Sequence, residues 1–463
     1  MTVLDRRQLL AGTAAAAAVV AAPAFAQPPA ATADARLDQL LTRQFNDNLA
    51  ESPEQATSLG LDKDALAALR SQLSDRSQAN AVEDRTKAQA RLAELRQVRR
   101  DDLSDAGKLN YDIADFRLST AADAARRFAY GSVGGRPAPY VLSQLGGSYY
   151  GVPDFLDSTH PINVQADVDG YLSRLQAFAT AIDGDTERLN HDVALGVIPP
   201  DFVLAKTIAN VRALRDTAPE QTTLVRSVSR RAREKGLADP AARAAGVVNE
   251  QIRPALARQA AALEALTPRA THEAGVHRLP DGAAYYAHGL RSNTTTTLGG
   301  EEIHTLGLQQ VADLHRQIDA ILRTQGMTQG TVGERLNALN RDPRHLWPNT
   351  DEGRAGLLAS LNAQMADIST RLPRMFSTLP RAPLEIRRVP ASIELGAPGG
   401  YYQRAALDGS RPGAYYINLK DTAEWPKWGL KTLTYHEGSP GHHFQGSVQQ
   451  EAGELPIYRR TGG

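Results

Sequence analysis

The sequence contains no cysteine. That absence excludes disulfides, a lipid-modified cysteine anchor and any thiolate metal site together. Charge of one sign is also missing: 52 Lys and Arg balance 52 Asp and Glu, and no basic block interrupts the chain. There is therefore no electrostatic reason to expect nucleic acid or an anionic membrane as a partner. Nor does any stretch reach the ~20 consecutive apolar residues that a membrane span requires. What remains is 463 residues, 42% hydrophobic and 22% charged. This is an ordinary globular composition with ample core for one large domain or two lobes.

Residues 1–26 read as a signal peptide. Arg6 and Arg7 stand in the context DRRQLL, an Ala/Val-rich run follows, and Ala24-Phe25-Ala26 precedes Gln27 as a small-x-small cleavage pattern. The paired arginines point to the twin-arginine route, with an ordinary secretory signal as the alternative. Either implies an exported protein, periplasmic or extracellular after cleavage near Ala26. The Pro/Ala-rich residues 27–34 then read as a disordered linker.

Amphipathic helices are expected over 37–59, 84–127, 168–194 and 241–266, where apolar residues recur every three or four positions, as at Leu92, Leu95 and Val98. Residues 35–278 thus form a helical lobe. Within it, 132–153 is rich in Gly, Tyr and Pro and reads as a loop lining a cleft. Its glycines lack the spacing of a phosphate-binding fingerprint. From 279 onward the character changes. A short strand is expected at 283–290 and a β-branched run at 294–297, then a helix over 301–324 on which His304 and His315 read as surface residues. Asn349 and Glu352 make a capping pair for a helix reaching to about Phe376. Strands are expected at 384–395 and 414–419, joined by the loop 399–413, and Pro426 opens a helix whose core face is Leu430 and Leu433. Residues 279–463 therefore combine a small sheet with the helix that carries the chemistry.

That chemistry lies in Tyr435-His436-Glu437-Gly438-Ser439-Pro440-Gly441-His442-His443. A His followed by Glu at a helix end offers a metal ligand and, beside it, a carboxylate able to take a proton from water. In His-Glu-x-x-His the second His returns to the same face one turn later. Here Pro440 occupies that position, so the helix must distort. A local π-type widening would bring His442 into the ligand position. His443 lies two turns from His436 on an ideal helix, roughly 10 Å away, too far to share an ion. The expected metal ligands are His436 and His442, with His443 as the alternative to His442; Glu437 is the expected general base, and His443 otherwise stands behind the ligands or stabilises the transition state. Tyr416, as a catalytic donor, and Tyr415 and Arg411, as substrate contacts, complete the set. Adjacent strand positions point to opposite faces, so at most one of the two tyrosines faces the metal.

The run HEGSPGHHFQ resembles the signature His-Glu-x-x-Pro-Gly-His-His of the bacterial family catalogued as domain of unknown function 885. LPDGAAYYAHGLRSNTTTTLGGEEIHTLGL (279–308) and YYQRAALDGSRPGAYYIN (401–418) are similar to that family too, and the resemblance spans nearly all of the chain after the leader. It implies a mainly α, zincin-like scaffold of gluzincin type, with a small β-sheet beside the active-site helix, a zinc ion, and a peptide or other amide as substrate. It also implies a third zinc ligand, a Glu in a Glu-Gly-Trp-Ala-Leu-Tyr motif after the His-rich run. The sequence does not contain that motif; Glu451 and Glu454 are the only acidic residues after His443. The expectation is thus a site short of its third ligand, apparently truncated, with weak zinc binding and exposed apolar surface around Leu430, Leu433 and Phe444. The functional expectation is an exported zinc-dependent metallohydrolase, a peptidase. The alternatives are an inactive exported peptide-binding protein that keeps the cleft, and a non-peptide amidase or esterase.

Overall fold

The computed structural model describes residues 32–132, 137–390, 394 and 397–462. The expected signal peptide lies outside the described residues, as does all but the last part of the expected linker, where a helix already begins at Ala33. The protein is mainly helical, with one small sheet. No helix among the described residues is long and apolar enough to cross a membrane.

The centre of the helical lobe is the helix Gln165–Ala194, which buries Val168, Tyr171, Leu175, Phe178, Ile182 and Leu189. The first five recur at three- and four-residue intervals, Leu189 follows seven residues on, and together they form one stripe. The stripe packs into a core shared with Leu204 and Val211, with Leu224 and Val228, and with Leu256 and Leu263 from three further helices. Full burial of such a side chain contributes about 1.5–3 kcal/mol. Two of the expected helices prove to be pairs. Residues 37–59 split into Ala33–Glu51 and Pro53–Leu59, because Pro53 cannot donate to the preceding turn. Residues 84–127 divide between Gln78–Leu95 and Asp105–Arg127, the latter capped by Ser104, whose hydroxyl accepts from the Gly107 amide at 3.1 Å.

The strand expected at 283–290 is instead the helix Gly282–Thr294. Its three alanines favour a helix, and Tyr285 is drawn inward to stack on Tyr130 at 5.5 Å between centroids. The helix Gly300–Thr324 lies where it was expected, with His304 and His315 exposed. The following long helix, Asp351–Ser369, is capped by Thr350 rather than Asn349, and ends before Phe376 in a 3₁₀ turn at Leu372–Arg374 that contains Pro373.

The sheet has three strands: β1 (Leu384–Arg388), β2 (Gly400–Gln403) and β3 (Gly413–Ile417), in spatial order β1-β3-β2. β1 runs parallel to β3 with Leu384 opposite Gly413, and β2 runs antiparallel with Tyr402 opposite Tyr415. The expected strand 384–395 stops at Arg388, just before Val389-Pro390. The expected loop 399–413 contains a strand of its own. Alternation divides the sheet faces. Tyr415 and Ile417 pack with Leu357, Leu361 and Leu430 of the flanking helices, whereas Ala414 and Tyr416 face Val389 and Tyr401.

Candidate metal centre

The helix Lys427–Glu437 lies against the Tyr415 face of the sheet through Leu430 and ends in His436 and Glu437. Gly438 caps it, its amide donating to the Thr434 carbonyl at 2.9 Å. The chain then turns through a cis Ser439–Pro440 peptide and Gly441, and a second helix, His442–Glu451, begins at once. The Gly438 carbonyl accepts from the His443 amide at 3.1 Å and so joins the two helices. This differs from the expected widening of one continuous helix. Pro440 removes a donor, and the chain breaks rather than bulges. Among the described residues the π-helical turn lies elsewhere, at Val248–Ile252. Glycine is required at position 441 because any Cβ there would collide with the carbonyl oxygens of Tyr435 and His436.

The break brings His436 and His442 together. Their rings stand 4.5 Å apart between centroids at 76°, and the ligand atoms of His436, Glu437 and His442 all lie within 4.8 Å of one another. Both imidazoles are exposed while Glu437 is buried, and its Oε2 has no hydrogen-bond partner in the protein. A buried carboxylate oxygen without a partner is costly. Beside two imidazoles it makes a nitrogen-and-oxygen donor set of the kind zinc accepts. This is the one such group of three among the described residues.

His443 turns the other way. It is buried, its Nδ1 lies 3.1 Å from the Tyr402 hydroxyl and 3.4 Å from that of Ser447, and burial lowers its pKa. Tyr402 was given no role from the sequence, since its residue run read as a loop; β2 is what points it at His443. Of the two adjacent tyrosines, Tyr415 is on the face of the His-Glu helix. Burial and the Glu437 charge hold its phenol well above the usual range, outweighing a hydrogen bond with Thr434. Tyr416 is on the opposite face, stacked on Tyr401 at 4.9 Å, with its hydroxyl 3.5 Å from Arg387. Arg411 donates to the Ser58 carbonyl at 2.9 Å, tying the strand region to the helical lobe.

The two acidic residues after the motif do not join the cluster. Glu451 accepts from the backbone amides of Arg381 and Ala382 and pairs with the Arg381 guanidinium at 3.0 Å, and Glu454 is exposed. The apolar surface expected around the site is also covered. Leu430 is 1% exposed beneath Leu357 and Leu361, and Phe444 packs on Phe376 at 4.5 Å.

A solved crystal structure described as "the putative lipoprotein from Colwellia psychrerythraea" superposes with a TM-score of 0.86 at 26% identity, covering 93% of this chain and 74% of that one. No curated protein matches the chain. The family model for bacterial proteins of unknown function (DUF885) matches residues 53–463, a span that takes in the sheet, both His-bearing helices and most of the helical lobe, and the chain therefore belongs to that family.

Proposed function

We propose that the protein is an exported, zinc-dependent metallohydrolase of zincin-like architecture that cleaves peptides. The observation that carries this reading is the convergence of His436, Glu437 and His442 with one carboxylate oxygen left unpartnered in a buried position. His436 and His442 would hold the ion. When bound, zinc would lower the pKa of a water and polarise an amide carbonyl. Glu437 takes the proton of the attacking water and delivers it to the leaving amine. Tyr415, kept protonated by burial and by the neighbouring carboxylate, serves as a donor near Glu437. His443 acts through position: its bond to Tyr402 anchors the second His-bearing helix to the sheet. Export is supported by the residue pattern of 1–26 and by the lipoprotein description of the similar structure.

A second reading, a binding protein that grips peptides without cutting them, is favoured by one observation. Glu437 is the only carboxylate of the cluster, so if it serves as base, a third protein ligand is wanting among the described residues. Metal analysis after dialysis against excess zinc separates the two. The hydrolase reading expects zinc that a chelator removes easily, and peptide cleavage that Glu437→Gln abolishes with zinc content unchanged. Loss of zinc together with activity makes Glu437 a ligand. A chain that takes up no zinc and cleaves no peptide overturns the hydrolase reading in favour of the binding one.

A further inference from the structure

Against the turn that joins the two His-bearing helices lies a cavity of about 320 Å³, between the helix Asp351–Ser369 and β1. Met365, Leu372, Leu384 and Ile386 are among its apolar walls, Asn362 and Ser369 add uncharged polar groups, and the lining also takes in Ser439 and His443. Those last two residues place it. Ser439 stands in the turn between Glu437 and His442, and His443 follows His442, so the cavity borders the segment that brings the His pair together. Its size is at the lower end of small-ligand pockets, ~300–1,000 Å³.

The lining carries no Asp, Glu, Lys or Arg, and its one titratable group, His443, is buried and bonded to Tyr402. A charged side chain entering here would leave water without meeting a counter-ion. An aliphatic or aromatic one would exchange water for Met365, Leu384 and Ile386. The neighbouring strand fits the same occupant. β1 is an outer strand of the sheet. An extended chain added along its free side presents alternate residues to one face. Leu384 and Ile386, two residues apart on β1, both line the cavity.

We propose that this cavity is a specificity pocket that receives an uncharged apolar side chain of the substrate, of leucine or phenylalanine size, beside the scissile bond. The assignment rests on the hydrolase reading for the word "scissile"; the pocket's preference does not. Ala366 provides the test, because it lines the cavity from an exposed helix position where a larger residue meets little core.

Binding is measured by calorimetry on the Glu437→Gln protein, with blocked tripeptides whose central residue is leucine, phenylalanine, serine or aspartate. The leucine and phenylalanine peptides should bind about ten- to a hundredfold tighter than the aspartate peptide, the range expected from burying one such side chain. Ala366→Phe, which fills the cavity, should remove that advantage while leaving the serine peptide unchanged. Ala366→Ser, which does not fill it, should retain the advantage. An unchanged thermal midpoint shows that the variants fold.

Equal affinities across the four peptides, no measurable binding of any, or discrimination that survives Ala366→Phe would overturn the pocket. Failure of the two readings is distinguishable. Native protein that cleaves peptides without side-chain preference overturns the pocket alone. Protein that discriminates through Ala366 but takes up no zinc overturns the hydrolase reading alone.

Discussion

Two of the places among the described residues that combine histidine, carboxylate and burial are built on opposite terms. In the helical lobe, His160 is completely buried. Its Nδ1 accepts from Arg174 at 2.7 Å, which leaves Nε2–H to donate to the Asp167 carbonyl at 2.8 Å. Arg174 also donates to Thr57 at 2.6 Å and to the carbonyls of Gln72 and Leu69 at 2.8 and 3.0 Å. The Asp167 carboxylate accepts from Arg70 at 3.0 Å and from the Asn163 amide at 2.8 Å. Each of these groups has its partner within the protein. At His436, Glu437 and His442 the imidazoles face outward, and the buried carboxylate keeps an oxygen with no partner. Groups that complete one another hold a fold together. Groups that leave capacity unspent at the surface of a cleft are free to act on something else.

The comparison breaks most easily at Arg174. Arg174→Met should cost about 3–5 kcal/mol in urea denaturation, because it strands several buried partners at once. A cost below about 1 kcal/mol would show that the network is not what stabilises the lobe. The next effect is pH-dependent. Burial and the Arg174 charge push the His160 pKa down to about 3, while in the unfolded chain it returns to about 6.5. The unfolded state therefore binds the extra proton between these values. Stability from this group is complete above about pH 6.5 and is lost as pH falls, by about 1.4 kcal/mol per pH unit. His160→Gln should remove that component of the slope between pH 6 and 4; an unchanged slope would mean that His160 titrates normally.

At the other cluster the expected changes are smaller and include one of opposite sign. Without metal, Glu437→Met should stabilise the protein by about 1 kcal/mol, since an unpartnered acceptor is replaced by an apolar side chain of similar length. A loss of stability would show that the carboxylate has a structural partner. His436→Ala and His442→Ala should lie within about 0.5 kcal/mol of the metal-free parent, as befits exposed side chains. They should also abolish the rise in thermal midpoint that added zinc gives the parent. A midpoint that still rises with zinc would remove the histidine concerned from the ligand set.

How far these two regions were legible in the sequence depends on the range of the forces involved. Helices announced by a 3.6-residue period, such as Gly300–Thr324, were readable because their signal is local. The meeting of His436 and His442 was readable as well, since Pro440 and Gly441 forbid an ordinary turn between them. How the chain manages that meeting was not readable. Pro440 disfavours a continuous helix, but a widened helix and a broken one can both follow from it, and the periodicity of the sequence does not separate them. β2 was missed because Tyr401 and Tyr402, flanked by glycine, look like a loop until β3 is there to pair with them. The Tyr402–His443 contact spans 41 residues and leaves no periodic trace. The covering of Leu430 and Phe444 came from the helix Asp351–Ser369 and from Phe376, neither of which the motif itself reveals.

The segment between β2 and β3 is fastened to the beginning of the fold. The Leu407 amide donates to the Leu59 carbonyl at 3.0 Å and Asp408 pairs with Lys63 across 345 residues of sequence, while Gln403, the last residue of β2, donates to Thr159 of the helical lobe at 2.8 Å. Closing loops of that length is slow and has to wait for distant parts of the chain to be present. The helical lobe, rich in near-neighbour contacts, is therefore able to form early during synthesis. The strands that support the His pair dock on it only after nearly all of the described chain has emerged. Until that late event, nothing holds the two histidines in their final places, and on the hydrolase reading proposed above the uptake of a metal ion would depend on timing as well as affinity.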